Sequence, residues 1–191
     1  MIIMLENYNV ILGSQSPRRN ELLKSLDIDF TVKVIPGLEE NYPNTLYGEE
    51  IPIFLAEQKA AAYQLSDKDL LITADTIVWL NDKVYGKPKS REDAIEILND
   101  LSGCTHEVIT GVCVKTNDKT TSFAVTTEVS FAQLTTTEIE HYVDKYAPMD
   151  KAGAYGIQEW IGYIGVEGIR GSYYNVMGLP VQRLYQILKQ Y

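Results

Sequence analysis

The chain has 191 residues, 45% hydrophobic and 23% charged, enough for one sizeable α/β domain with a buried core. Seventeen Lys and Arg stand against twenty-six Asp and Glu, a net charge of −9. That balance argues against a general nucleic-acid or anionic-membrane surface, which needs a basic face, but allows one small positive pocket.

The two cysteines, Cys104 and Cys113, form no C-x-x-C pair, and with only His106 and His141 beside them they make no zinc site of common spacing. The N-terminal MIIMLENYNVIL has no basic n-region, and no apolar run approaches membrane-spanning length. The expected compartment is the cytoplasm.

In chain order, Tyr8–Leu12 reads as a short buried strand. Ser16 is a good N-cap with Pro17 at the first helical position, and Leu22, Leu23 and Leu26 supply the apolar face of the helix. Phe30–Ile35 alternates as a strand, Pro36–Gly48 is an acidic loop, and Glu49–Leu65 is an alanine-rich helix. Leu70–Leu80 reads as a strand interrupted at Ala74-Asp75-Thr76, and Asn81-Asp82 marks a turn. Ser90–Leu101 is a capped helix with Glu92 and Asp93 in its first turn. Glu107–Lys115 and Thr120–Leu134 read as a hairpin around Asn117-Asp118. Thr135–Tyr146 is a helix, a Gly-rich loop follows, and Val181–Gln190 closes the chain as a helix. The pattern suggests a mixed, twisted sheet flanked by helices in a single domain over 1–191.

Four stretches carry chemistry. In Leu12-Gly13-Ser14-Gln15-Ser16-Pro17-Arg18-Arg19, two arginines fall in a first helical turn, where the dipole disfavours cations. Free N–H groups at a helix start, Ser14 and the two guanidiniums make a phosphate site; the alternative is a pair of solvated arginines. In Leu70–Trp79, Asp75 sits inside an apolar run, costly unless paired, hydrogen-bonded or metal-bound. It suits a base or a divalent-metal ligand, the alternative being a turn-closing aspartate. Lys87 in Gly86-Lys87-Pro88 and Lys59 on the alanine-rich helix read by themselves as surface lysines, and Glu39 and Glu40 as solvated loop. Finally, Asp150–Gln158 and Gly171–Pro180 interleave small residues with Gln158, an amide able to donate and accept at a base edge; tight connections are the equal alternative. No G-x-x-x-x-G-K-[ST] loop, G-x-G-x-x-G or G-x-S-x-G elbow is present.

Together these stretches resemble the Maf family of nucleoside triphosphate pyrophosphatases. The likeness runs from Leu12 to about Leu184 through S-x-S-P-R-R, L-A-x-x-K-A, A-D-T, G-K-P, L-S-G-x-x-H-x-V-x-T-G at Leu101–Gly111, D-K-A-G-A-Y-G-I-Q and G-S-Y-x-N-V-x-G-L-P. The resemblance implies a mixed α/β fold with a deep cleft between two lobes, as in inosine triphosphatases, often as a homodimer. It implies metal-dependent (Mg²⁺ or Mn²⁺) hydrolysis between the α- and β-phosphates. Asp75 becomes the general base; Ser14, Arg18, Arg19, Lys59 and Lys87 contact phosphates; Glu39 or Glu40 assists with metal or water. Arg18, Thr76 and Gln158 match positions associated with base preference, and the pattern is similar to the subfamily acting on dTTP and UTP. Neighbouring readings are the same reaction on CTP or 7-methyl-GTP, or a nucleotide-binding regulator of cell division without catalysis. No nucleic-acid or membrane partner is expected. Gly13 stands where alanine is usual, a change expected to be harmless; Ala147-Pro148 stands for Glu-Pro, and Glu159 follows Gln158 where glycine is common.

Overall fold

The computed structural model describes residues 5–191; residues 1–4, part of the stretch read above for a targeting segment, lie outside them. Contacts group the chain into two compact units. The first comprises Met1–Asp75, Thr110–Val125 and Gly178–Tyr191, and the second Thr76–Ile109 and Thr126–Met177. The described residues form one open seven-stranded mixed sheet, in the order β2 (Thr31–Val32), β1 (Asn9–Leu12), β3 (Asp69–Leu80), β5 (Thr105–Lys115), β6 (Thr120–Phe131) and β7 (Val166–Arg170), with β4 (Lys83–Tyr85) paired to β3. Among the described residues no helix is long and apolar enough to cross a membrane.

In the first unit β1 (Asn9–Leu12) pairs in parallel with β2 (Thr31–Val32) and with β3 (Asp69–Leu80). The segment expected as a strand over 30–35 keeps only those two residues, both exposed at the sheet edge. Helix α1 (Pro17–Lys24) starts as expected, with the Ser16 hydroxyl accepting from Arg19 N and Leu22 and Leu23 buried. Helix α2 (Glu50–Ala61) stops short of Leu65, because Tyr63 packs with Ile11, Ala56, Ala60, Leu71 and Cys113 while its hydroxyl donates to Lys33 O at 2.7 Å. Tertiary packing overrides the alanine propensity there.

Strand β3 is continuous for twelve residues, so Asp75 stands in the middle of a strand and interrupts nothing. Strands β5 (Thr105–Lys115) and β6 (Thr120–Phe131) are joined by the tight turn foreseen at Asn117-Asp118, closed by Thr116 N on Lys119 O at 2.8 Å. Helix α7 (Val181–Leu188) ends the first unit.

The second unit packs β4 (Lys83–Tyr85), α3 (Arg91–Leu101) and α4 (Thr136–Tyr146) around a core that includes Leu98, Leu101, Phe131, Ile139 and Tyr142. Thr135 and Glu138 form a reciprocal capping box at the start of α4. The glycine-rich stretch is more regular than its composition suggests. It holds α5 (Trp160–Gly165), β7 (Val166–Arg170) and α6 (Tyr173–Met177), with β7 antiparallel to β6. Gly162 is needed inside α5 because a Cβ there would stand 1.9 Å from Ile157 O. Cys104 and Cys113 are free thiols.

Candidate active site

The chemistry-bearing residues of the first unit converge through two periodicities. Thr73 and Asp75, two apart on β3, share one strand face; Ala56 and Lys59, three apart on α2, share one helix face. Buried Thr73 donates its hydroxyl to Ala56 O at 2.7 Å, and Lys59 Nζ lies 2.5 Å from Asp75 Oδ1. The helix lies flush on β5 at Gly111, where a Cβ would come within 2.2 Å of Pro52 C and 2.4 Å of Ile53 N. Neither Thr73 nor Gly111 was recognised in the sequence as placing Lys59. The usable signal was a hydroxyl two residues before Asp75 in an otherwise apolar run.

Lys59 also meets Glu40 Oε1 at 2.9 Å, so one ammonium holds two carboxylates. Asp75 and Lys59 keep only 11% and 14% of their side chains exposed, whereas Glu40 keeps 41%. Glu39 turns away and accepts from Asn41 Nδ2 at 2.9 Å. The structure thus distinguishes the two glutamates that the sequence left equivalent.

The paired arginines also differ. Arg19 Nε donates to Gly178 O at 2.8 Å, and Nη1 donates to Ala74 O at 2.9 Å and to Ser14 Oγ at 3.4 Å. It braces the start of α1 against the middle of β3, at the residue before Asp75. Burial pushes the Arg19 pKa below its ordinary range; the Asp75 charge opposes that and the Arg18 charge adds to it. Arg18 is half-buried in the same turn. Ser14 is buried and its Oγ accepts from Ser16 N at 3.2 Å. Gly13 is tighter than expected: a Cβ would lie 2.9 Å from both Tyr63 Oη and Thr73 Cγ2.

The remaining candidates belong to the second unit. Thr76 follows Asp75 and, by strand alternation, presents the opposite face. Lys87 is exposed, two residues beyond β4. Gln158 is half-buried in the turn before α5, and its Oε1 is buried without a hydrogen-bond partner in the protein. His106, read as a structural hydrogen-bonder, meets the Tyr155 hydroxyl at 2.8 Å through Nε2.

The profile of the family described as Maf-like protein matches residues 9–191. The chain belongs to the Maf family. Similar curated relatives include the dTTP/UTP pyrophosphatases of Bacteroides fragilis (strain YCH46), 58% identical over 192 residues, and of Phocaeicola vulgatus, also 58% identical over 192, with all of both chains covered in each case. That of Porphyromonas gingivalis (strain W83) is 50% identical over 195 residues, covering all of this chain and 98% of the relative. In fold, the Maf chain is similar to the Staphylococcus aureus Ham1 protein, with a TM-score of 0.54 at 19% identity over 95% of this chain and 98% of that one.

A divalent cation fits the Maf site's donors. Asp75 and Glu40 offer hard carboxylate oxygens, while among the described residues no group of three or more His, Cys, Asp or Glu could hold a metal. Magnesium suits such a set, being commonly held by one or two carboxylates together with substrate phosphates.

Proposed function

We propose that this chain hydrolyses dTTP and UTP to the nucleoside monophosphate and pyrophosphate. The observation that carries the reading is the buried pair of Asp75 and Lys59 at 2.5 Å, with Glu40 on the same ammonium. A carboxylate buried in a strand and countered by a lysine is poised for chemistry. The names of the relatives supply the substrate class.

In this reading the substrate's phosphates draw the Lys59 ammonium from Asp75, leaving the carboxylate to orient a water and take its proton. The water oxygen bonds to the α-phosphorus, the bond to the bridging oxygen breaks, and pyrophosphate leaves with that electron pair. Ser14, Arg18, Lys59 and Lys87 serve the phosphates. Arg19 contributes chiefly as the brace that keeps the Ala74 carbonyl and Ser14 in place. When bound by Asp75 and Glu40, Mg²⁺ or Mn²⁺ supplies charge neutralisation on the phosphate oxygens.

Gln158 is assigned to the base. Its buried Oε1 is an acceptor awaiting a donor such as the N3–H of uracil or thymine, and its amide N–H₂ matches the adjacent base carbonyl. A homodimer in the cytoplasm is the working state; exposed Tyr163, Ile164, Ile169, Tyr173 and Tyr174 along α5, β7 and α6 support a self-association surface.

The test is release of pyrophosphate and monophosphate from a panel of nucleoside triphosphates with Mg²⁺, Mn²⁺ or EDTA. Turnover greatest on dTTP and UTP and abolished by EDTA is expected. Binding without turnover in every metal would overturn the reading.

A further inference from the structure

The stretch that presents Gln158 is tied at both ends. It begins at Lys151, whose side chain is only 9% exposed, and ends at Glu159. Lys151 Nζ meets Glu159 Oε1 at 3.2 Å, while Glu159 Oε2 accepts from the Tyr142 hydroxyl. The same hydroxyl accepts from Gly156 N at 3.0 Å, and Glu159 N donates to Gly156 O at 2.9 Å. Gly156 makes this crossing possible: a Cβ there would fall 2.8 Å from Glu159 Cδ and 3.0 Å from Lys151 Cε.

The anchor of this bracket is rigid. Tyr142 is fully buried on α4 and stacks on Tyr146. Burial and the Glu159 carboxylate push its hydroxyl pKa upward, so it remains a donor. Lys151 also donates to Asp150 Oδ1 at 2.8 Å, but the Asp150 side chain is 57% exposed against 21% for Glu159. Glu159 is the more buried of the two carboxylates on this ammonium, and Gln158 lies between the two tied positions Gly156 and Glu159.

We infer that Glu159, held by Lys151 and the Tyr142 hydroxyl, is a positioning residue that fixes the Gln158 amide and thereby sets discrimination for the base. The inference rests on the pyrimidine-triphosphate reading above. An amide with a buried, unpartnered oxygen discriminates a base edge more sharply when its orientation is fixed before the ligand arrives, because the cost of ordering it then does not count against binding. Glu159 touches neither base nor phosphate in this account; it acts on selectivity through the turn.

The experiment compares kcat and KM for UTP and for ribose 5′-triphosphate, which carries the phosphates without a base. Wild type, Gln158→Ala, Glu159→Gln, Glu159→Asp and the double variant Gln158→Ala/Glu159→Gln are measured. Glu159→Gln should lower the UTP to ribose-triphosphate ratio of kcat/KM about tenfold, through KM, the size of one lost polar interaction. Glu159→Asp should recover part of it, and the double variant should be no worse than Gln158→Ala. A Glu159→Gln loss shared equally by both substrates, or additive losses in the double variant, overturns the inference. Should Glu159→Gln fail to fold by circular dichroism, Tyr142→Phe, which deletes one oxygen, is judged by the same ratio. A wild-type ratio near one would sink the base-specific reading itself. A ratio that collapses in Gln158→Ala but not in Glu159→Gln sinks only the positioning role.

Discussion

In the first unit charged side chains gather at one place: Lys59 lies between Asp75 and Glu40, and Arg19 is pinned to two backbone carbonyls beside them. In the second unit the buried polar groups are mostly neutral, Lys151 with Glu159 being the exception. Asn175, fully buried on α6, donates to Val108 O at 3.0 Å and to Thr127 Oγ1 at 2.9 Å, and Thr127 Oγ1 in turn accepts from Ser172 N at 3.1 Å. His106 is spent on Tyr155, with Phe131 edge-on at 5.0 Å. Such neutral networks stabilise a unique packing. A buried ion pair is by itself weak evidence of stability, and the reading proposed above has Lys59 exchange its carboxylates for a ligand. Substitutions in the first cluster should therefore move activity more than stability, and those in the second network the reverse.

The sharpest way to break that contrast is Asp75→Asn. It keeps shape and burial while removing the proton acceptor, so kcat should fall by about 10²–10⁴-fold with little loss of thermal stability. Turnover assays beside melting curves check it; a variant that melts early yet still turns over would make Asp75 structural.

His106 tests the other side. Burial holds its pKa down to about 4, against 6.5 for a free imidazole. Between those values the unfolded chain carries the proton and the folded chain does not. Stability is therefore intact above pH 6.5 and falls as pH drops toward 4, by about 3 kcal/mol at the lower end. Urea midpoints at pH 7 and pH 4.5, for wild type and His106→Gln, isolate this effect because carboxylate titrations are common to both. An acid-induced loss of equal size in the two proteins would remove His106 as its source.

The contrast also explains what could be read before the structure. Most of the first unit's candidate site stands out in the sequence because its residues violate local rules: arginines in a first helical turn, an aspartate in an apolar strand. Their contacts do not. Arg19 obeys a tertiary demand, the Ala74 and Gly178 carbonyls, and Gly178 lies 159 residues away in sequence. Glu40 and Glu39 are neighbours in one loop, distinguished only by the arrival of Lys59. In the second unit, helices, hairpin and capping residues were plain, but α5, β7 and α6 were hidden by glycines that lower helix and strand propensity alike. Lys151 and Glu159, far apart enough in sequence to look independent, gave no sign of being a pair.

Gly13 gives the smallest and most local prediction, at the seam between site and scaffold. From sequence its replacement of alanine appeared neutral, but here the space belongs to Tyr63 and Thr73, each committed elsewhere: Tyr63 to Lys33 O and Thr73 to Ala56 O. Gly13→Ala forces one of these hydrogen-bonded groups to move, an overpacking cost of about 1–2 kcal/mol. Gly13 N is itself bonded to Ile72 O at 2.8 Å, so the strand cannot simply retreat. Removing the Tyr63 hydroxyl should make room, and Gly13→Ala should then cost less in a Tyr63→Phe background than in wild type. Denaturant titrations of the two single variants and the double variant measure that coupling. Additive losses would mean that Thr73, which also sets the α2 contact beside Asp75, bears the strain, and in that case the single Gly13→Ala variant should lose activity along with stability.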